Sequence, residues 1–158
     1  MTPPAPTAES RRYPNRPVLG VGALIYEGDS ILLVQRGHEP LKGYWSLPGG
    51  AVETGELLGD AVVREVREET GLIVEPTAVA TLFERVMRDE RGSAEYHYVL
   101  VDYFCRVLSG EPRAGSDSAA VEWVPLSALD TRELTQGTRQ VIAAVDPARP
   151  AGLLVFQA

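Results

Sequence analysis

The segment from Gly50 to Leu72 limits what this chain can become more than any other part of it. It reads Gly, five residues, Glu, seven residues, then Arg-Glu-Val-Arg-Glu-Glu-Thr-Gly-Leu. Its spacing predicts a helix over 55–70, with Thr54 as N-cap, Glu56 and Asp60 near the positive end and Gly71 as the residue that stops it. Glu65, Glu68 and Glu69 then stand at i, i+3 and i+4 and share one narrow face. Counting about 100° per residue from Glu65, Leu58 falls at about 20°, Glu69 at about 40°, Val62 at about 60° and Val66 at about 100°. Two carboxylates therefore lie on the apolar arc, whereas Asp60, Arg64 and Arg67 lie opposite. An ordinary amphipathic helix keeps its acids on the solvated side.

Carboxylates turned inward repel one another and lose hydration, so a positive charge has to compensate them. A hard divalent cation does so well: Mg²⁺ takes oxygen ligands and bridges carboxylates to phosphates. Glu65, Glu68 and Glu69 are thus candidate metal ligands. The competing reading is a solvated Glu-rich face, and the angular placement argues against it. Leu47-Pro48-Gly49-Gly50 reads as a tight turn or, beside the acidic helix, as the backbone wall of a phosphate site.

Length and charge narrow the classes further. The 158 residues, 44% hydrophobic and 23% charged, suit one globular domain, read as 17–158. The first sixteen residues, proline-rich and poor in large apolar side chains, read as a disordered or loosely draped tail. A net charge of −7 disfavours nucleic-acid polymers and anionic membranes, so an anionic small molecule has to be drawn in by local cations. Cys105, the single cysteine, sits in an apolar stretch and reads as a buried thiol. With two histidines and no paired cysteines a zinc site is not expected. No apolar run reaches membrane-spanning length and no signal peptide is evident, which points to a cytoplasmic protein, monomer or homodimer.

Outside the central helix the chain is strand-rich. Val18–Tyr26 and Ile31–Gln35 form a hairpin around Glu27-Gly28-Asp29, and Tyr44–Leu47 is a short extended piece. Val74–Arg85 and Glu95–Val107 flank a turn at Asp89–Gly92, Gly110–Ser118 is a loop, and Ala120–Val124 is the last strand. A short turn at Leu126–Leu129 and a helix over Leu134–Val145 follow. The order β-β-α-β-β-β-α is that of an α/β fold with a mixed sheet.

The Gly50–Leu72 pattern matches the Nudix box at every defined position. Seven of its positions demand one residue type each, a chance match on the order of one in 10⁹ at about 6% usage per position. The chain resembles a Nudix hydrolase from about Pro17 to Val145, which implies the Nudix α/β/α sandwich and a Mg²⁺-dependent pyrophosphohydrolase, with Mn²⁺ as the alternative ion. The resemblance makes the Gly49 carbonyl a fourth metal ligand, gives Arg64 an ion pair with a box carboxylate, and lets Glu56 anchor the loop. Family members differ over the catalytic base: a box glutamate, here Glu68 or Glu69, or an acid in the late loop. Asp117 is the late-loop candidate, equally readable as a turn-former, and Glu122 is the weaker one. Arg36 and Gly50 are candidate phosphate contacts and Lys42 and Arg85 weaker ones; each cation judged alone reads first as a surface charge. Phe83, Tyr96, Tyr98, Tyr103 and Trp45 read as packing before stacking. The phrases W-S-L-P-G-G-A-V-E-x-G-E and E-W-V-P-L resemble short ADP-ribose pyrophosphatases and recur in members that cleave nucleoside triphosphates, oxidised ones included. The expected substrate is ADP-ribose, with a triphosphate-sanitising enzyme as alternative. A non-catalytic Nudix binding module is a third reading, opposed by the retention of every box carboxylate.

Overall fold

The computed structural model describes residues 11–147 and 154–157. The first hairpin forms as expected, from Val18–Glu27 (β1) and Ser30–Arg36 (β2) around Gly28, whose φ of 55° is a left-handed conformation that glycine adopts without strain. The two strands pair only at Tyr26–Ile31 and Glu27–Ser30. Beyond that they part. β1 runs parallel to Ala94–Ser109 (β6), whereas β2 pairs antiparallel with Trp45–Ser46 (β3) and Ser118–Pro125 (β7). The ends of β1 and β2 farthest from the hairpin therefore diverge, and the candidate cleft opens between them.

Ile73–Arg88 (β5) pairs antiparallel with β6 along almost its whole length, and Leu154–Gln157 (β8) adds a parallel edge to β5. The sheet is mixed, as the order of elements predicts. Two pieces were not expected. Gly49–Ala51, read as loop, is a short strand (β4) on β1, and β8 is a further strand beyond the expected last helix. Neither has an apolar alternation of its own to announce it.

Alternation on β1 and β2 sorts side chains to two faces. Val21, Ala23, Ile25 and Leu32 pack against Ala61, Val62 and Val66 of the central helix, Leu58–Thr70 (α1). Leu24, Ile31 and Leu33 turn the other way, onto Phe83, Phe104 and the Val141 and Ile142 side chains of Thr138–Ala144 (α2). Helices on both faces of one sheet give the expected sandwich, and each fully buried aliphatic side chain contributes roughly 1.5–3 kcal/mol. Cys105 is buried, and burial pushes its thiol up to about 12, as a packing residue requires.

Both helices start later than their sequences predict. α1 begins at Leu58, with Leu57 at the cap and no side-chain cap bond, so Thr54 is not the N-cap. Gly55 at φ 88° lies outside helical space, and the Glu56 carboxylate turns back to accept the Glu53 N–H. α1 does end at Gly71, φ 75°, whose N–H donates to the Arg67 carbonyl. α2 starts at Thr138 rather than Leu134, because Trp45 N–H donates to the Glu133 carbonyl and Thr135 N–H to the Trp45 carbonyl. Those bonds hold 133–135 extended beside β3.

Candidate active site

β4 and α1 assemble the box. Gly49 faces Gly22 of β1, flanked by the bonds Ala23 N–H to Pro48 carbonyl (2.8 Å) and Val52 N–H to Leu19 carbonyl (3.0 Å). This makes Gly49 a non-hydrogen-bonded ladder position, so its N–H and carbonyl both point away from β1. The N–H donates to Glu69 Oε2 at 2.9 Å. Side chains are excluded here by contact: a Cβ at Gly49 would lie 2.1 Å from the Val21 carbonyl oxygen, and one at Gly50 2.4 Å from the Glu65 carboxyl carbon.

Arg64 organises the acids. Its Nε and Nη2 donate to the two Glu56 carboxylate oxygens at 2.7 and 2.9 Å, and Nη1 donates to Glu65 at 2.7 Å and more weakly to Glu68 at 3.4 Å. Nη2 also donates to the Ala51 carbonyl, which ties helix to strand. The Arg64 guanidinium holds the Glu56 carboxyl down to about 2, helped by the Glu53 N–H. Burial pushes Glu65 and Glu69 the opposite way. Glu69 rises to about 7, chiefly through burial and further through the Glu65 and Asp117 charges, while the Gly49 N–H and Arg36 oppose the shift. Glu65 is raised by burial too, against the pull of Arg64.

Among the described residues no three carboxyl, imidazole or thiol groups converge closely enough to hold an ion as they stand. The donor set nevertheless suits a hard divalent cation. It offers partly buried carboxylates at Glu65 and Glu69 whose charge is incompletely neutralised, a third at Glu68 whose half-exposed side chain has room to turn, and the Gly49 carbonyl outside its ladder.

The late loop is fastened to the end of α1. Arg113 N–H donates to the Thr70 carbonyl (2.8 Å), and Gly115 N–H and Ser118 Oγ donate to the Glu69 carbonyl (3.0 and 3.2 Å). Asp117 thereby reaches the cleft rim, exposed, 3.7 Å from His38 Nε2. Arg36 stands across from it, its Nε donating to the Pro40 carbonyl at 2.9 Å.

A cleft of about 620 Å³ gathers Glu65, Glu68, Glu69, Arg64, Gly49, Gly50, Arg36 and Asp117, together with Arg85. Glu56 and Gly71 support it from outside, Lys42 does not line it, and Glu122 points elsewhere, in an ion pair with Arg132 at 2.6 Å. Tyr98 lines the cleft under the Arg85 guanidinium, 5.6 Å from its ring centroid, whereas Phe83 is almost wholly core and Tyr103 packs on the α1 face. The sequence reading missed Arg11, Asp102, Gly20 and Gly22. Gly20 and Gly22 did carry a signal, since paired glycines inside an apolar strand mark a close approach: a Cβ at Gly22 would lie 2.2 Å from Asp102 Oδ1.

The family model for the NUDIX domain matches residues 16–145. An ADP-ribose pyrophosphatase of Methanocaldococcus jannaschii is 38% identical over 113 residues, which cover 72% of this chain and 64% of that protein. A putative 8-oxo-dGTP diphosphatase 2 of Mycobacterium tuberculosis is 37% identical over 124 residues, 78% of this chain and 84% of the relative. Some other curated relatives are matched over only about a third of their length, 32% and 33% in two cases. Among solved structures, a MutT NUDIX hydrolase from Burkholderia pseudomallei superposes with a TM-score of 0.74 at 33% identity, over 84% of this chain and all of that one. The box geometry, the sandwich around it and these matches agree, and the chain belongs to the Nudix hydrolase family.

Proposed function

We propose that this chain is a Mg²⁺-dependent pyrophosphohydrolase of the cytoplasm that cleaves the diphosphate of a nucleoside diphosphate-linked substrate, ADP-ribose in the first place. The observation that carries this reading is the single cleft that joins the acidic face of α1 to cations and an aromatic ring. Glu65, Glu68, Glu69 and the Gly49 carbonyl would hold the metal. When bound, the ion supplies positive charge to the diphosphate and lowers the pKa of water. Arg64 keeps the acids apart and oriented, and Arg36 meets a phosphate oxygen. Asp117, at the rim, accepts the proton of the attacking water; oxygen adds to phosphorus, the bridging P–O bond breaks, and AMP and ribose 5-phosphate leave. The Tyr98–Arg85 end of the cleft offers a flat, cationic wall to the rest of the substrate.

The similarity to a protein named as an 8-oxo-dGTP diphosphatase favours a second reading, hydrolysis of a nucleoside triphosphate. A panel of ADP-ribose, dNTPs and 8-oxo-dGTP, with Mg²⁺, with Mn²⁺ and with chelator, separates the two. ADP-ribose should be among the best substrates and yield AMP only with metal. A kcat/KM for dGTP or 8-oxo-dGTP tenfold or more above that for ADP-ribose would give the site to the triphosphate, and no metal-dependent hydrolysis at all would leave a binding module.

A further inference from the structure

Arg12 and Tyr13, ahead of the family match, hold residues 11–13 in a fixed course. Tyr13 adopts φ 52°, a left-handed conformation that costs a tyrosine of order 1 kcal/mol and persists only where contacts impose it. The contacts are present. Tyr13 N–H donates to the Glu95 carbonyl at 2.8 Å, its hydroxyl donates to Asp89 Oδ2 at 3.0 Å, and Arg12 Nε donates to Glu95 Oε1 at 2.9 Å. Asp89 is itself fixed by the Arg91 and Ser93 N–H groups, both at 2.9 Å, so the segment is anchored to a closed turn between β5 and β6. Beyond the anchor, Arg11 lies in the wall of the catalytic cleft with Glu53, Arg64 and Glu65.

An anionic substrate entering a protein of net charge −7 needs cations in the cleft itself. Arg64 is engaged by three carboxylates and a carbonyl, and Arg85 is pressed over Tyr98 and donates to the Gln136 carbonyl. Of the four arginines among the described residues that line the cleft, two remain: Arg36, held through its Nε alone by the Pro40 carbonyl, and Arg11. We propose that Arg11 is a substrate-binding residue that contacts a phosphoryl oxygen of the phosphoanhydride, and that Tyr13–Asp89 and Arg12–Glu95 form the clamp that positions it. This rests on the pyrophosphohydrolase reading. It adds that the active site includes a strap outside the family fold.

The test uses the full chain and the best substrate of the nucleotide panel. Arg11→Ala should raise KM roughly five- to twentyfold with kcat within about twofold, as loss of one charged phosphate contact predicts, Arg11→Glu should raise it further, and Arg11→Lys should recover part. The clamp variants Tyr13→Phe and Asp89→Asn touch no cleft atom and should raise KM in the same direction by less. Unchanged KM in both Arg11→Ala and Arg11→Glu, or clamp variants that leave KM alone, overturns the strap while the hydrolase reading stands. In parallel, calorimetry with Mg²⁺ and the α,β-methylene analogue of ADP reads binding without turnover. If the wild type hydrolyses nothing, weaker analogue binding by Arg11→Ala still supports the strap; equal binding, or none by the wild type, sinks it.

Discussion

At the scale of single residues, the candidate site is an electrostatic compromise. Glu65 and Glu69 are buried enough for their carboxyls to be raised, against Arg64 and Arg11 at Glu65 and the Gly49 N–H and Arg36 at Glu69. Glutamine at 68 or 69 keeps the shape and removes a charge. Glu68→Gln and Glu69→Gln should each lower turnover by orders of magnitude, with the melting temperature in metal-free buffer unchanged or higher. Steady-state rates and a thermal melt check both halves, and near-full activity in both variants would refute the ligand assignment. Asp117 differs because it is exposed and lies at the rim. If it takes the proton of the attacking water, Asp117→Ala should lower kcat far more than it raises KM. Wild-type kinetics in that variant would return the base role to Glu68 or Glu69.

At the scale of elements, β5, β6 and β1 share a row in which Thr81 Oγ1 donates to Asp102 Oδ2 at 2.7 Å and Asp102 Oδ1 abuts Gly22. Burial pushes the Asp102 carboxyl up to about 6, with the Thr81 bond opposing. The unfolded value is about 3.9, so the folded chain binds more protons between about pH 4 and pH 6. Stability from this group is therefore present below the unfolded value and is lost as pH rises through the folded one. The loss is of order 2–3 kcal/mol, because each tenfold change in proton affinity is worth about 1.4 kcal/mol. Asp102→Asn keeps the acceptor for Thr81 and should remove this decline, so that the variant gains on the wild type between about pH 4 and pH 6 and keeps a constant advantage above that. Denaturant midpoints for both proteins at pH 4, 5, 6 and 7 test it; parallel curves would mean that Asp102 stays ionised throughout. No helix among the described residues is long and apolar enough to cross a membrane.

At the scale of the whole molecule, the chain's local pattern was enough to specify the acidic helix, its glycine stop, the first hairpin and the mixed α/β class. Each rests on a local period or a local conformational preference, which neighbours in the chain suffice to set: Glu65 and Glu69 face inward because of their spacing from Val62 and Val66. Gly50, Arg64, Glu65, Glu68 and Glu69 of the box line the cleft, and Asp117, outside the box, lines it too, whereas Glu122 pairs with Arg132. Whatever needed the assembled fold involves partners far apart in sequence. The late start of α2 follows from the bonds between Trp45 and residues 133–135, not from capping preference. β4 exists because β1 offers a ladder to three residues that have no strand pattern of their own. Asp102 became a floor residue because the parallel register of β1 and β6 sets it beside Gly22, far away along the chain. Arg11 reached the cleft because Tyr13 and Arg12 met Asp89 and Glu95 across the fold. A charge in a polar tail carries no period to read, and where it acts is fixed by the surface against which the chain folds.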